Sequence, residues 1–170
     1  MNRYSVGVQS RREIDMAKAR YIDDFHKWEQ GFEFFIPIKV RFSETDMFGH
    51  LNNTVPFVYF EQARTEFFKY IGFMQEWLLP DSETFPVVAD LQCDYFQQIY
   101  FDENLKIYVK ANSIGNSSAD LHYMGKREDG TVGFVGRGTI VQISKKTGKG
   151  VLWTESMRKK LVLKQQVPCN

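Results

Sequence analysis

Apolar and polar positions follow three successive rhythms along the chain. From Arg11 to Trp28, Ile14, Ala17, Tyr21, Phe25 and Trp28 recur at steps of three and four. That spacing predicts an amphipathic helix packed on the main domain or on a partner. From Glu33 to Phe42 the period falls to two: Phe34, Ile36, Ile38, Val40 and Phe42 alternate with polar residues. This is the pattern of a strand with one buried face, and Pro37 assigns it to a sheet edge or a strand start. After the polar stretch Ser43 to Asn53 the helical period returns. Phe57, Phe60, Ala63, Phe67, Ile71 and Met74 form one stripe, with Val58, Tyr59, Phe68 and Tyr70 around it. A long helix over residues 55 to 74, apolar on most sides, must be surrounded by other elements. Asn53 or Thr54 is its expected N-cap, with Pro56 in the first turn.

From there to residue 143 only strand signals appear. Val87, Ala89, Leu91 and Cys93 alternate within Phe85 to Tyr100. Leu105, Ile107, Val109 and Ala111 do so in the next run, and Ala119, Leu121, Tyr123 and Gly125 in the third. Glu128-Asp129-Gly130 reads as a hairpin turn before a long strand from Thr131 to Ile143. Gly133, Gly136 and Gly138 in that strand allow a bulge or a close backbone approach. A short basic helix is expected from Glu155 to Leu163. The order helix, strand, buried helix and four closely connected strands implies an α+β domain, with one antiparallel sheet around one helix. The later strands also leave an edge suited to pairing with a second sheet.

The 170 residues suit one domain, and 43% apolar with 25% charged residues is ordinary globular composition. The aromatic content stands out, with 15 Phe, 8 Tyr and 3 Trp. So many rings imply a thick core, a buried interface or a greasy binding slot. Charges nearly cancel, 22 Lys and Arg against 21 Asp and Glu, so no global field favours nucleic acid or an anionic membrane. Cys93 and Cys169 lie far apart without metal-ligand spacing, which points to neither a disulfide framework nor a zinc site. A reduced, cytoplasmic setting is the expectation. No run reaches the roughly 18 apolar residues of a membrane span, and residues 1–10 lack the apolar run of a signal peptide.

The chemistry concentrates in Glu44-Thr45-Asp46-Met47-Phe48-Gly49-His50-Leu51-Asn52-Asn53, just before the long helix. A helix N-terminus presents free N–H groups with a partial positive charge, which suits a developing oxyanion. Beside it, Asp46 can act as a general base on water or as a nucleophile, and Gly49 permits a tight turn. The same residue types also serve as plain caps and turn formers. Glu61 and Arg64, three apart, either pair at the surface or line a site.

Val40 to Phe68, VRFSETDMFGHLNNTVPFVYFEQARTEFF, resembles the signature of hotdog-fold acyl-CoA thioesterases, especially the 4-hydroxybenzoyl-CoA thioesterase-like group. The pattern runs from a strand through Asp-x-x-Gly-His-x-Asn-Asn into a helix bearing Tyr-Phe-Glu-x-Ala-Arg. The resemblance implies five strands wrapped around the helix that begins near Thr54. It also implies hydrolysis of an acyl-CoA thioester to carboxylate and CoA, without metal or cofactor, in a homodimer or homotetramer. In this likeness Asp46 is the catalytic carboxylate and the Asn53 N–H polarises the carbonyl. His50 is catalytic or substrate-orienting. Phe48, Gly49, Asn52, Glu61 and Arg64 contact substrate, Phe48 standing where some relatives carry a catalytic Asn. Lys126, Arg127, Arg137, Lys145, Lys146 and Lys149 are candidates for the CoA phosphates. The hotdog domain is expected over 31–150, with an N-terminal helical extension over 1–30 and a C-terminal helix and tail over 151–170. Two alternatives stay open: a hydratase or dehydratase acting on acyl thioesters, and a non-catalytic acyl-CoA sensor.

Overall fold

The computed structural model describes residues 19–162. In chain order the elements are α1 (Phe25–Gln30), β1 (Phe34–Lys39), a 3-10 turn (Phe42–Glu44), α2 (Val55–Tyr70), α3 (Phe73–Trp77), β2 (Thr84–Tyr95), β3 (Asn104–Ile114), β4 (Ser118–Arg127), β5 (Val132–Ser144) and α4 (Glu155–Val162). The five strands form one antiparallel sheet in the order β1-β3-β4-β5-β2. With α2 packed on one face, this is the α+β hotdog arrangement that the resemblance implied.

The period-2 residues set which face is buried. On β3, Leu105, Ile107 and Val109 point to α2 and are almost fully buried. Pro37 sits on β1, an edge strand, where its missing N–H costs no ladder bond. On α2, Tyr59, Phe60, Ala63, Phe67 and Phe68 are buried, whereas Val58 is exposed. The helix is thus covered on one side rather than on most sides. It also ends earlier than the periodicity suggests, because Gly72 turns left-handed (φ 82°) and the chain restarts as α3.

The core is a chain of rings. Phe60 stacks on Tyr123 at 4.5 Å between centroids and meets Phe134 edge-on at 5.7 Å. Phe68, Phe73 and Trp77 continue the row to Trp153, which lies just before α4. Fully burying one such side chain is worth about 1.5–3 kcal/mol, and each well-placed ring pair adds about 0.5–1.5 kcal/mol. The expected close approach on β5 is realised at Gly136, where an added Cβ would lie 2.4 Å from the Phe60 ring.

The opposite face of the sheet is covered as well, by the segment entering β1. Ala19, Trp28 and Phe32 are buried there against Met124 and Val135, with Tyr21, Ile22 and Phe25 alongside. This is why β4 is buried along nearly its whole length instead of alternating. The helix expected over Arg11 to Trp28 is corrected here. Residues 19–24 form no helix, Asp24 is extended (φ −131°) and caps through Lys27 N–H, and helix runs only over Phe25–Gln30. Packing on a sheet favours an irregular strap that turns every apolar residue inward. Residues 11–18 of that expectation lie outside the described residues.

Candidate active site

The polar stretch between β1 and α2 is fastened at both ends. At its start, the Glu44 carboxylate accepts from the Arg41 N–H at 2.8 Å and from the Tyr59 hydroxyl of α2 at 2.7 Å. Burial, reinforced by Glu44, pushes the Tyr59 hydroxyl pKa up, so it remains a donor. Near its end, the Leu51 N–H donates to the Ile99 carbonyl at 2.7 Å, and His50 bridges to Tyr100 in backbone and in ring contact (5.1 Å). Between these anchors the chain folds back on itself. The Asp46 N–H donates to the His50 carbonyl at 2.8 Å, and Gly49 takes the left-handed conformation (φ 77°) that closes the turn.

That turn orients Asp46. Its Oδ1 accepts the Phe48 N–H at 2.8 Å and the His50 N–H at 3.1 Å. Its Oδ2 has no hydrogen-bond partner among the described residues, so half of the carboxylate is held and half is available. At the start of α2 the Asn52 side chain, not Asn53 or Thr54, makes the turn. Its Oδ1 accepts from the Thr54 N–H (3.1 Å) and hydroxyl (2.9 Å), while Thr54 occupies the cap position without a capping side-chain bond. The Asn53 carbonyl accepts the Tyr95 hydroxyl. The Asn53 N–H meets no acceptor among the described residues.

Asp46, His50 and Asn53 line one cavity of about 410 Å³, together with Leu51, Tyr95, Phe96, Gln97, Gln98, Ile99 and Phe134. The cavity is thus lined by a carboxylate residue, an imidazole residue and the residue before the α2 cap, over an apolar floor of Leu51, Phe96, Ile99 and Phe134. Such a set can polarise a carbonyl and deliver a base or nucleophile to it.

The other expected site residues are placed differently. Gly49 and Asn52 shape the loop from within. Phe48 is 75% exposed and does not line the cavity, because the turn that points its N–H at Asp46 turns its ring to solvent. Glu61 and Arg64 project from the middle of α2 and line a separate cavity of about 190 Å³ with Thr65, Phe68 and β2 residues. Arg64 donates to the Tyr123 hydroxyl at 3.3 Å instead of pairing with Glu61. Most of the candidate phosphate cations are already paired within the fold. Lys126 binds Glu29, Arg127 binds Glu103, Arg137 binds Asp120 and Lys146 binds Glu83, each at 2.6–2.7 Å. The ammonium groups of Lys145 and Lys149 have no partner among the described residues.

A family model described as the thioesterase-like superfamily matches residues 40–161, the span that contains the loop, α2 and the whole sheet except β1. The chain belongs to this superfamily. This thioesterase-like chain is 46% identical over 143 residues to the uncharacterized protein YsmA of Bacillus subtilis, a match covering 84% of this chain and 95% of that protein. It is 29% identical over 86 residues to the acyl-CoA thioesterase YbgC of Haemophilus influenzae, covering 51% of this chain and 62% of that one. The solved structure of a predicted thioesterase from Bacillus stearothermophilus superimposes with a TM-score of 0.66 at 30% identity, covering 75% of this chain and 92% of that chain.

The cavity wall from Tyr95 to Ile99, and Phe134 behind it, was not legible as part of this cavity. The sequence reads through Tyr100 as one strand. In fact β2 ends at Tyr95, because the Phe96 and Gln97 N–H groups both donate to the Gly133 carbonyl (2.8 and 3.0 Å) and take the chain out of the ladder. Among the described residues no helix is long and apolar enough to cross a membrane.

Proposed function

We propose that this chain is an acyl-CoA thioesterase that uses Asp46 and the start of α2 on the thioester carbonyl. One observation carries the reading: Asp46, whose Oδ2 has no partner among the described residues, and Asn53, whose N–H has none there either, line the same cavity. The carbonyl oxygen accepts from the Asn53 N–H, where the helix dipole stabilises the charge that develops as the carbonyl becomes tetrahedral. Asp46 takes a proton from water as the water oxygen bonds to the carbonyl carbon. An alternative course has Oδ2 bond to that carbon itself, giving an anhydride that water then opens. In both courses the C–S bond breaks and the electron pair leaves on the CoA sulfur, a good leaving group. No metal or cofactor is called for, since thiolate departs without help. His50, held beside Asp46 by its own N–H, orients the acyl group or the water.

The free edge of β2 and the exposed Val88 and Tyr95 on that strand suit a second copy of the chain, so the reading includes a homodimer or an assembly of such dimers. In this reading Glu61 and Arg64 act on substrate at the interface between the two subunits.

The test is thiol release from a panel of acyl-CoAs, straight-chain and aromatic, followed by Asp46→Asn on the best substrate. The expected result is a loss of kcat of at least about a hundredfold with the fold intact by circular dichroism. Unchanged turnover in that variant would remove Asp46 from the reaction, and silence across the whole panel would remove the activity.

A further inference from the structure

The strap on the outer face of the sheet carries a polar fastening in the middle of its apolar contacts. The Trp28 indole N–H donates to His122 Nδ1 at 2.7 Å. An indole nitrogen only donates, so Nδ1 is bare and the imidazole proton resides on Nε2. Nε2 then donates to Asp120 Oδ2 at 2.9 Å, and Asp120 Oδ1 accepts from Arg137 at 2.9 and 2.7 Å. His122 is 1% exposed. The groups around it come from every neighbouring element. Tyr21 of the strap lies edge-on to the ring at 5.1 Å, and Arg137 of β5 also faces Asp90 of β2 at 3.4 Å. Asp94 of β2 acts on Tyr21. Lys110 of β3 donates to the Trp28 carbonyl at 2.6 Å and sits over the Phe32 ring at 4.5 Å.

The same strap reaches the cavity. The Phe25 ring lies 6.2 Å from the Phe96 ring, and Phe96 belongs both to the strap's apolar cluster and to the lining of the Asp46 cavity. The wall Phe96–Ile99 has left the sheet. The Gly133 carbonyl holds it at Phe96 and Gln97, Arg127 donates to the Gln98 carbonyl, the Leu51 N–H donates to the Ile99 carbonyl, and Phe25 packs on the Phe96 ring at the strap side.

We infer that Ala19–Phe32 is a proton-sensitive strap: docked by neutral His122, it holds the Phe96 wall of the cavity, and protonation of His122 releases both. A proton added at Nδ1 would set an N–H against the Trp28 N–H inside a buried site. Docking and protonation therefore exclude each other. Burial of the ring lowers the His122 pKa, against the opposing pull of Asp120, in keeping with that exclusion. Freeing the strap removes that burial while Asp120 stays beside the ring, so the His122 pKa rises on release and docking weakens as pH falls, by at most about tenfold per pH unit for one proton. That the wall matters for turnover rests on the reading of the cavity as a thioesterase site; the latch itself does not.

The experiment is hydrogen exchange read by mass spectrometry on the full chain between pH 8 and pH 5, corrected for intrinsic rates. Peptides spanning the strap and peptides spanning 96–99 are expected to lose protection together as the pH is lowered across this range, while β4 and β5 amides keep theirs. His122→Gln, which keeps an acceptor and a donor without titrating, should abolish the pH slope. Trp28→Phe, which keeps an aromatic ring but no donor, should abolish it too. Phe25→Ala should leave the latch closed and raise KM several-fold with kcat within about twofold of wild type. A strap that opens without the wall, a slope that survives in both latch variants, or an unchanged KM in Phe25→Ala would overturn the inference. Exchange judges the latch even if no acyl-CoA is hydrolysed, so this test and that of the enzymatic reading fail separately.

Discussion

On the inner face of the sheet, α2 lays Phe60 flat on Tyr123 and edge-on to Phe134, and the contact is ring against ring throughout. On the outer face, the strap also buries rings, but it suspends Trp28 from an imidazole and a lysine. The inner closure has at its centre only the Tyr123 hydroxyl, whose pKa burial pushes further above its already alkaline value. The outer closure depends on one ring nitrogen staying bare. The same sheet is therefore sealed on one side by a contact indifferent to pH and on the other by one that pH can open.

Breaking the inner seal should cost most. Phe60→Ala removes a fully buried ring that touches Tyr123, Phe134 and Gly136, and a loss of about 3–5 kcal/mol is expected from urea unfolding, equal at pH 5 and pH 8. Breaking the outer seal should cost less and in a pH-dependent way. Trp28→Phe strands the buried His122 Nδ1, so about 1–3 kcal/mol should be lost near neutral pH. In the wild-type chain the unfolded state takes up the His122 proton first. Stability should then decline as pH drops below about 6.5 and level off beneath the lowered folded pKa, and His122→Gln should flatten that part of the curve. The smallest effect is expected away from both seals. Lys146→Ala removes an exposed pair with Glu83 and should leave the unfolding midpoint where it was.

The inner face was the more legible one. Period-2 runs such as Leu105, Ile107 and Val109, and the stripe Phe60, Ala63, Phe67, state their burial directly, because a single neighbour element covers each. The outer face was misread for a physical reason. Ala17, Tyr21, Phe25 and Trp28 have helical spacing, but a segment lying on a sheet can bury the same residues without being helical. His122 falls on the polar side of an alternating strand and gives no sign of the indole that will meet it. In the site, the short-range turn from Asp46 to Asn53 was readable because its geometry is made by neighbours in sequence. Phe96 to Ile99 was not, since long-range bonds with Gly133, Arg127 and Leu51 bring that wall in. Glu61 and Arg64 show the converse: a motif continuous in sequence is divided by the length of α2 between two cavities.

Phe60 occupies the space that Gly136 leaves empty, and its ring also leans on Phe134, which floors the Asp46 cavity. These three positions share one volume. In evolutionary terms they form a single heritable unit: a substitution that deepened the cavity at Phe134 would loosen the folding core, and one that filled Gly136 would demand a smaller residue at position 60. What the cavity admits and how firmly the chain folds are thus inherited together.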